Sequence, residues 1–186
     1  QLHRPHLISG RRNKAALIWQ GEKEMDVRCF TYQMLYTEVC RVAHALSSLH
    51  INKGDRVALY MPMIPELVIA MLACARIGAI HTAIFSGYAE GGVRSRIQGS
   101  KAKVVITADA AIRAGKIKPL KANLDPILEK CPSVVHVVVN HADLYDVKMT
   151  WTSPASPWTP TTRSSCCIPA AAPASLRASC TPRAAT

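Results

Sequence analysis

Aromatic side chains are scarce: two Phe, three Trp and five Tyr make up 5% of the 186 residues. A protein that grips nucleic acid by stacking bases on rings needs more than this, so the chain is not an aromatic platform of that kind. Charged residues are also few, at 19%, while hydrophobic ones reach 49%. That balance excludes a wholly disordered chain and predicts one ordinary domain with an aliphatic, alanine-rich core.

Paired cysteine motifs are missing as well. Cys29, Cys40, Cys74, Cys131, Cys166, Cys167 and Cys180 are odd in number and show no Cys-x-x-Cys spacing, which predicts reduced thiols in a cytoplasmic protein. No metal site is expected. No apolar segment follows the basic start around His3, Pro5 and His6, so no secretory signal is visible. The longest apolar run, from Leu67 to Phe85, holds Arg76 near its centre and Gly78 behind it. An arginine at mid-bilayer costs roughly 2.5–3.5 kcal/mol, so a buried helix followed by a buried strand is expected instead of a membrane span.

Acidic residues are absent from both ends. Residues 1–16 hold Arg4, Arg11, Arg12 and Lys14 with no acid, and 149–186 hold Arg163, Arg177 and Arg183 with none. The net charge of +11 therefore falls to +4 over residues 17–148. The middle reads as an ordinary domain, and basicity alone is weak support for a nucleic-acid partner.

Apolar periodicity predicts the elements. Ala15–Trp19 and Val27–Thr31 read as a hairpin. Thr31 caps a helix carrying Leu35, Val39, Val42, Leu46 and Leu49 at three- and four-residue steps, ending near His50. Arg56–Tyr60 is a short buried strand, and Pro65 opens a helix that runs to Gly78. Strands are then expected at Ala79–Phe85, Lys103–Thr107 and Val134–Val139, with helices at Ala89–Gln98 and Pro119–Lys130. This alternation predicts an α/β fold, a mostly parallel sheet flanked by helices, over residues 1–148. Residues 149–186 contain six of the twelve prolines and no glycine, and they read as an irregular, disordered tail.

Two places could carry ligand chemistry. Phe85-Ser86-Gly87-Tyr88 follows a strand at the end of the sheet where ligands bind, and Gly87 lets a ligand approach the backbone. It is not a GxGxxG turn, so dinucleotide binding of that type is unsupported. The second is Thr107 to Lys116, where Arg113 and Lys116 bracket Ala114-Gly115. Two cations and free N–H groups there suit a phosphate, with Lys118 and Lys121 extending the positive surface. Either place also reads as a plain surface turn. The histidines form no ligand set: His44 and His50 fall on a helix, His81 and His136 in strands, and no nucleophile–base pair is seen.

The gapless run from Lys53-Gly54-Asp55-Arg56-Val57-Ala58-Leu59-Tyr60-Met61-Pro62 through Arg76-Ile77-Gly78-Ala79-Ile80-His81 resembles the acetyl-CoA synthetase family of adenylate-forming ligases. The likeness spans about His6 to Val139. It implies part of that family's large N-terminal domain, and an AMP-forming acetate–CoA ligase that makes acetyl-adenylate from acetate and ATP before transfer to CoA. It also implies that Gly87 lies near the nucleotide end of CoA and that Arg113, Ala114, Gly115 and Lys116 form the turn that contacts a CoA phosphate. Magnesium and ATP would belong to the complete enzyme. No catalytic or metal-ligating residue of this chain is implied.

The family continues into a phosphate loop, Tyr-Thr-Ser-Gly-Ser-Thr-Gly-Lys-Pro-Lys-Gly, which this chain lacks. Written with one choice of codons, such a loop shifted by one base reads Ile168-Pro169-Ala170-Ala171-Ala172-Pro173-Ala174-Ser175-Leu176-Arg177-Ala178. The expectation is an out-of-frame tail and a chain inactive on its own. The alternative from the basic ends is an anion- or nucleic-acid-binding module without catalysis.

Overall fold

The computed structural model describes residues 4–140 and the pair Trp151–Thr152. A one-and-a-half-turn helix, α1 (Arg4–Ile8), precedes the hairpin β1 (Ala15–Gln20) and β2 (Val27–Thr31), whose strands pair antiparallel. Then follow α2 (Tyr32–Ser48), β3 (Arg56–Met61), α3 (Pro65–Ile77), β4 (Ile80–Phe85), α4 (Glu90–Ser100) and β5 (Val104–Ala108). A second hairpin, β6 (Ala110–Arg113) and β7 (Lys116–Pro119), leads into α5 (Leu120–Leu128) and β8 (His136–Asn140). The pair β9 (Trp151–Thr152) closes the order.

The main sheet runs β4-β3-β5-β8-β9, with the first four strands parallel and β9 antiparallel to β8. Because side chains alternate along a strand, Val57, Leu59 and Met61 of β3 enter the core under α2 and α3, while Ala58 and Tyr60 enter the one under α4 and α5. Helices on both faces explain why β3 and β5 read as unbroken apolar runs. β4 is the edge strand, with Ile80 and Phe85 about half exposed.

Local chemistry sets the boundaries. The Thr31 side chain accepts the Met34 amide at 3.2 Å and starts α2, and Pro65 opens α3. Gly78 ends α3 in the left-handed region at φ +77°, where a β-carbon would also press on Lys53.

Four expectations need correction. Helix α2 stops at Ser48, so His50 is not helical: it turns left-handed at φ +58°, and Ile51 donates back to the Leu46 carbonyl at 3.1 Å. This is a Schellman closure with His in the usual glycine place, held because Leu46 and Ile51 are both buried. The segment after β5 is not a bare turn but the β6–β7 hairpin. Helix α1 has no counterpart among the expected elements. Trp151–Thr152, inside the expected irregular tail, adds to the sheet edge because β8 offers unpaired backbone groups there. The rest of the 149–186 reading, and the domain boundary at 148, lie outside the described residues.

Candidate functional site

The strand order places a topological switch between β3 and β5. From β3 the chain leaves through α3 toward β4, and from β5 through α5 toward β8 on the opposite face of the sheet. In such sheets the crevice beyond the carboxyl ends of the two diverging strands is where ligands bind. The rim of that end is built by four segments: the β1–β2 loop, the Pro62–Ile64 stretch, the Ser86–Tyr88 turn and the tip of the β6–β7 hairpin.

The first hairpin is fastened to this rim. Trp19 Nε1 donates to the Met63 carbonyl at 2.7 Å, Arg28 lies over the Trp19 ring at 5.1 Å, and its guanidinium pairs with the buried Glu66 carboxylate at 3.1 Å. The pairing satisfies a charge in the first turn of α3 that burial would otherwise make costly.

Gly87 lies just past β4, where Tyr88 N–H donates to the Phe85 carbonyl at 3.1 Å. A β-carbon at position 87 would sit 2.4 Å from Phe85 Cε1, so glycine lets the Phe85 ring fold across the turn, and a larger residue would push that ring aside. That ring is half exposed, meets Tyr88 edge-on at 5.9 Å and carries the Arg113 guanidinium 5.8 Å above its centre. The Gly87 turn and the Arg113 hairpin, far apart in sequence, are therefore brought together. Arg96 lies over the Tyr88 ring at 4.0 Å, adding a second cation beside the same surface.

At the hairpin tip Arg113 and Lys116 form the closing pair, with Ile112 opposite Ile117. Ala114 and Gly115 are the two turn residues, at φ +52° and +69°. Free N–H groups are expected here, but both amides already hold an anion. Glu22 of the β1–β2 loop accepts from Ala114 N–H at 2.6 Å and from Gly115 N–H at 3.0 Å. Those two N–H groups, Gly115 first and then Ala114, hold the Glu22 carboxyl below the usual carboxylate range, with a smaller contribution from the charge of Arg113.

Lys121 departs from its expected place on the positive surface. It pairs with Asp125 one turn along α5, and its side chain is largely covered; Lys118 stays exposed. Among the described residues the thiol of buried Cys74 is pushed up to about 12 by burial, away from the range of an activated nucleophile, and Cys29 and Cys40 are in no disulfide. Glu22 and Arg96 are the site residues that sequence reasoning misses, because each reaches the rim through tertiary contact rather than through a motif.

The arrangement can grip a phosphate-sized anion beside an exposed aromatic face. A family model described as AMP-binding enzyme matches residues 7–177. The chain belongs to the AMP-binding enzyme family. The match crosses the expected boundary at residue 149. Among relatives, acetyl-coenzyme A synthetase of Gemmatimonas aurantiaca is 55% identical over 134 residues, covering 72% of this chain and 20% of that protein. The synthetase of Methanothrix thermoacetophila is 50% identical over 144 residues, 77% of this chain and 22% of that protein. Acetyl-coenzyme A synthetase 2 of Pseudomonas putida is 44% identical over 151 residues, 81% of this chain and 23% of that protein. The chain thus spans about a fifth of the length of the curated relatives it matches. Family membership does not favour the basic nucleic-acid module. Among the described residues no helix is long and apolar enough to cross a membrane.

Proposed function

We propose that this chain supplies part of the coenzyme A surface of a cytoplasmic AMP-forming acetate–CoA ligase, which joins acetate to ATP as acetyl-adenylate and passes the acetyl group to CoA. The observation that carries the reading is the convergence of the Gly87 turn and the Arg113–Lys116 hairpin beyond the carboxyl ends of the sheet, with Arg113 lying on Phe85. Arg113 meets a CoA phosphate with its planar fork, Lys116 adds a second positive charge, and the Ala114 and Gly115 amides donate to the same group. Gly87 keeps the backbone low at the nucleotide end.

The 186 residues contain no counterpart of the family's phosphate loop. Among the described residues no three His, Cys, Asp or Glu side chains are grouped to hold an ion. We infer that the chain on its own does not form acetyl-adenylate, and that residues from about 151 onward are an out-of-frame reading of a ligase gene. The nucleotide sequence across positions 140–186 checks the latter: a frame that cannot be shifted into the phosphate loop overturns it.

Calorimetry with CoA tests the binding role. The chain is expected to bind CoA weakly, and Arg113→Ala to weaken it by about tenfold or more, the scale of one charged hydrogen bond. Equal affinity of the two proteins, or none in either, sinks the assignment. Acetate-dependent ATP–pyrophosphate exchange is expected to be absent, and its detection overturns the inactive reading.

A further inference from the structure

The hairpin tip holds an anion that comes from the chain itself. Both oxygens of Glu22 are used, one on each of two neighbouring amides, at 2.6 and 3.0 Å. Successive left-handed residues at Ala114 and Gly115 aim their N–H groups to one side, so a single two-oxygen face can take both. A phosphate presents that same face. The two anions cannot occupy the amides together.

Glu22 is placed to leave. It lies on an exposed loop, 92 residues before Ala114 in sequence. That loop is closed by contacts of its own: Gly21 N–H donates to the Asp26 carbonyl at 2.7 Å, Asp26 N–H to the Lys23 carbonyl at 2.9 Å, and Gln20 Nε2 to the Lys23 carbonyl at 2.8 Å. None of these contacts uses the Glu22 carboxylate, so its departure leaves the loop shape intact. Arg113 and Lys116 stay behind and flank the vacated amides.

We propose that Glu22 is a built-in competitor for the anion site: it occupies the Ala114 and Gly115 amides in the free protein, and a phosphate must displace it to bind. This rests on reading the hairpin tip as the CoA phosphate site. Two consequences follow from the tether. The loop holds Glu22 at high effective concentration, so small monoanions fail to displace it while a multiply charged phosphate succeeds. Apparent phosphate affinity is also reduced by the fraction of molecules whose amides are open.

The test is a pyrophosphate titration of the full 186-residue chain followed through the Ala114 and Gly115 amide signals in proton–nitrogen NMR, for the native chain, Glu22→Ala and Glu22→Gln. Unchanged signals elsewhere check the fold. The two amides are expected to shift when Glu22 is removed, and pyrophosphate to act on Glu22→Ala at about three- to tenfold lower concentration than on the native chain, with Glu22→Gln between them. The same midpoint in all three, or no response of these amides in any, overturns the proposal. A parallel CoA titration separates the two readings. Competition by pyrophosphate with no added affinity for CoA sinks the CoA assignment and leaves the competitor role standing. Equal CoA affinity in native and Glu22→Ala chains does the reverse.

Discussion

Gly87 matters for the room it leaves rather than for its backbone angle. The missing β-carbon makes space for the Phe85 ring, and the ring in turn carries Arg113. In Gly87→Ala the ring must swing away, and because it is half exposed the cost to folding should be small, about 1 kcal/mol. The loss should appear in CoA binding, since Arg113 gives up its support. Thermal unfolding with CoA calorimetry on the same variant checks this, and wild-type values for both refute the account. A glycine after a strand at the carboxyl end of a parallel sheet is a readable signal for close approach. That its own neighbour's ring takes the space is not readable, because neither the rotamer of Phe85 nor the position of Arg113 is set by local sequence.

At the scale of elements, capping chemistry made most boundaries legible. Thr31 before the α2 periodicity, Pro65 at the start of α3 and Gly78 at its end all act locally and all stand where expected. Thr31→Ala removes the acceptor of the Met34 amide, so it should destabilise the chain by about 1 kcal/mol in urea unfolding. An unchanged midpoint would show that the first turn of α2 is held by other contacts. Two boundaries resisted this reading for the same reason. His50 takes a left-handed angle because the burial of Ile51 and Leu46 outweighs the penalty of a β-carbon there. The β6–β7 hairpin is short and mostly exposed, with Ile112 facing Ile117 across Ala114-Gly115. That symmetric isoleucine pair around an X-Gly turn was the one available signal.

Across the whole molecule, Asp55 ties three segments together at the amino end of the sheet. Its carboxylate accepts the Asn52 amide at 2.9 Å and pairs with Lys103 just before β5, while its carbonyl takes the Ile80 amide of β4 at 2.7 Å. Lys103 first, and the Asn52 amide second, hold the Asp55 carboxyl below the ordinary aspartate range. The folded chain therefore protonates this group at lower pH than the unfolded chain does. Its stabilisation is complete above about pH 4, near the unfolded value, and disappears as pH falls through the folded one. Asp55→Asn should accordingly lose less stability than the native chain between about pH 5 and pH 2 in unfolding experiments. Parallel acid curves for the two proteins would remove Asp55 from that role.

Periodicity, caps and the alternation of strand with helix were enough to determine an α/β domain with a parallel sheet covered on both faces, because those signals arise within a few residues of one another. They also singled out Gly87 and Arg113 to Lys116 as candidate ligand contacts, each of which reads equally as a plain surface turn. The tertiary structure alone decided the strand order, the switch between β3 and β5, and the meeting of Glu22, Phe85 and Arg113 at one rim. Those depend on contacts between residues 24 to 93 positions apart, whose pairing follows from how the helices pack on the sheet and leaves no trace in local spacing.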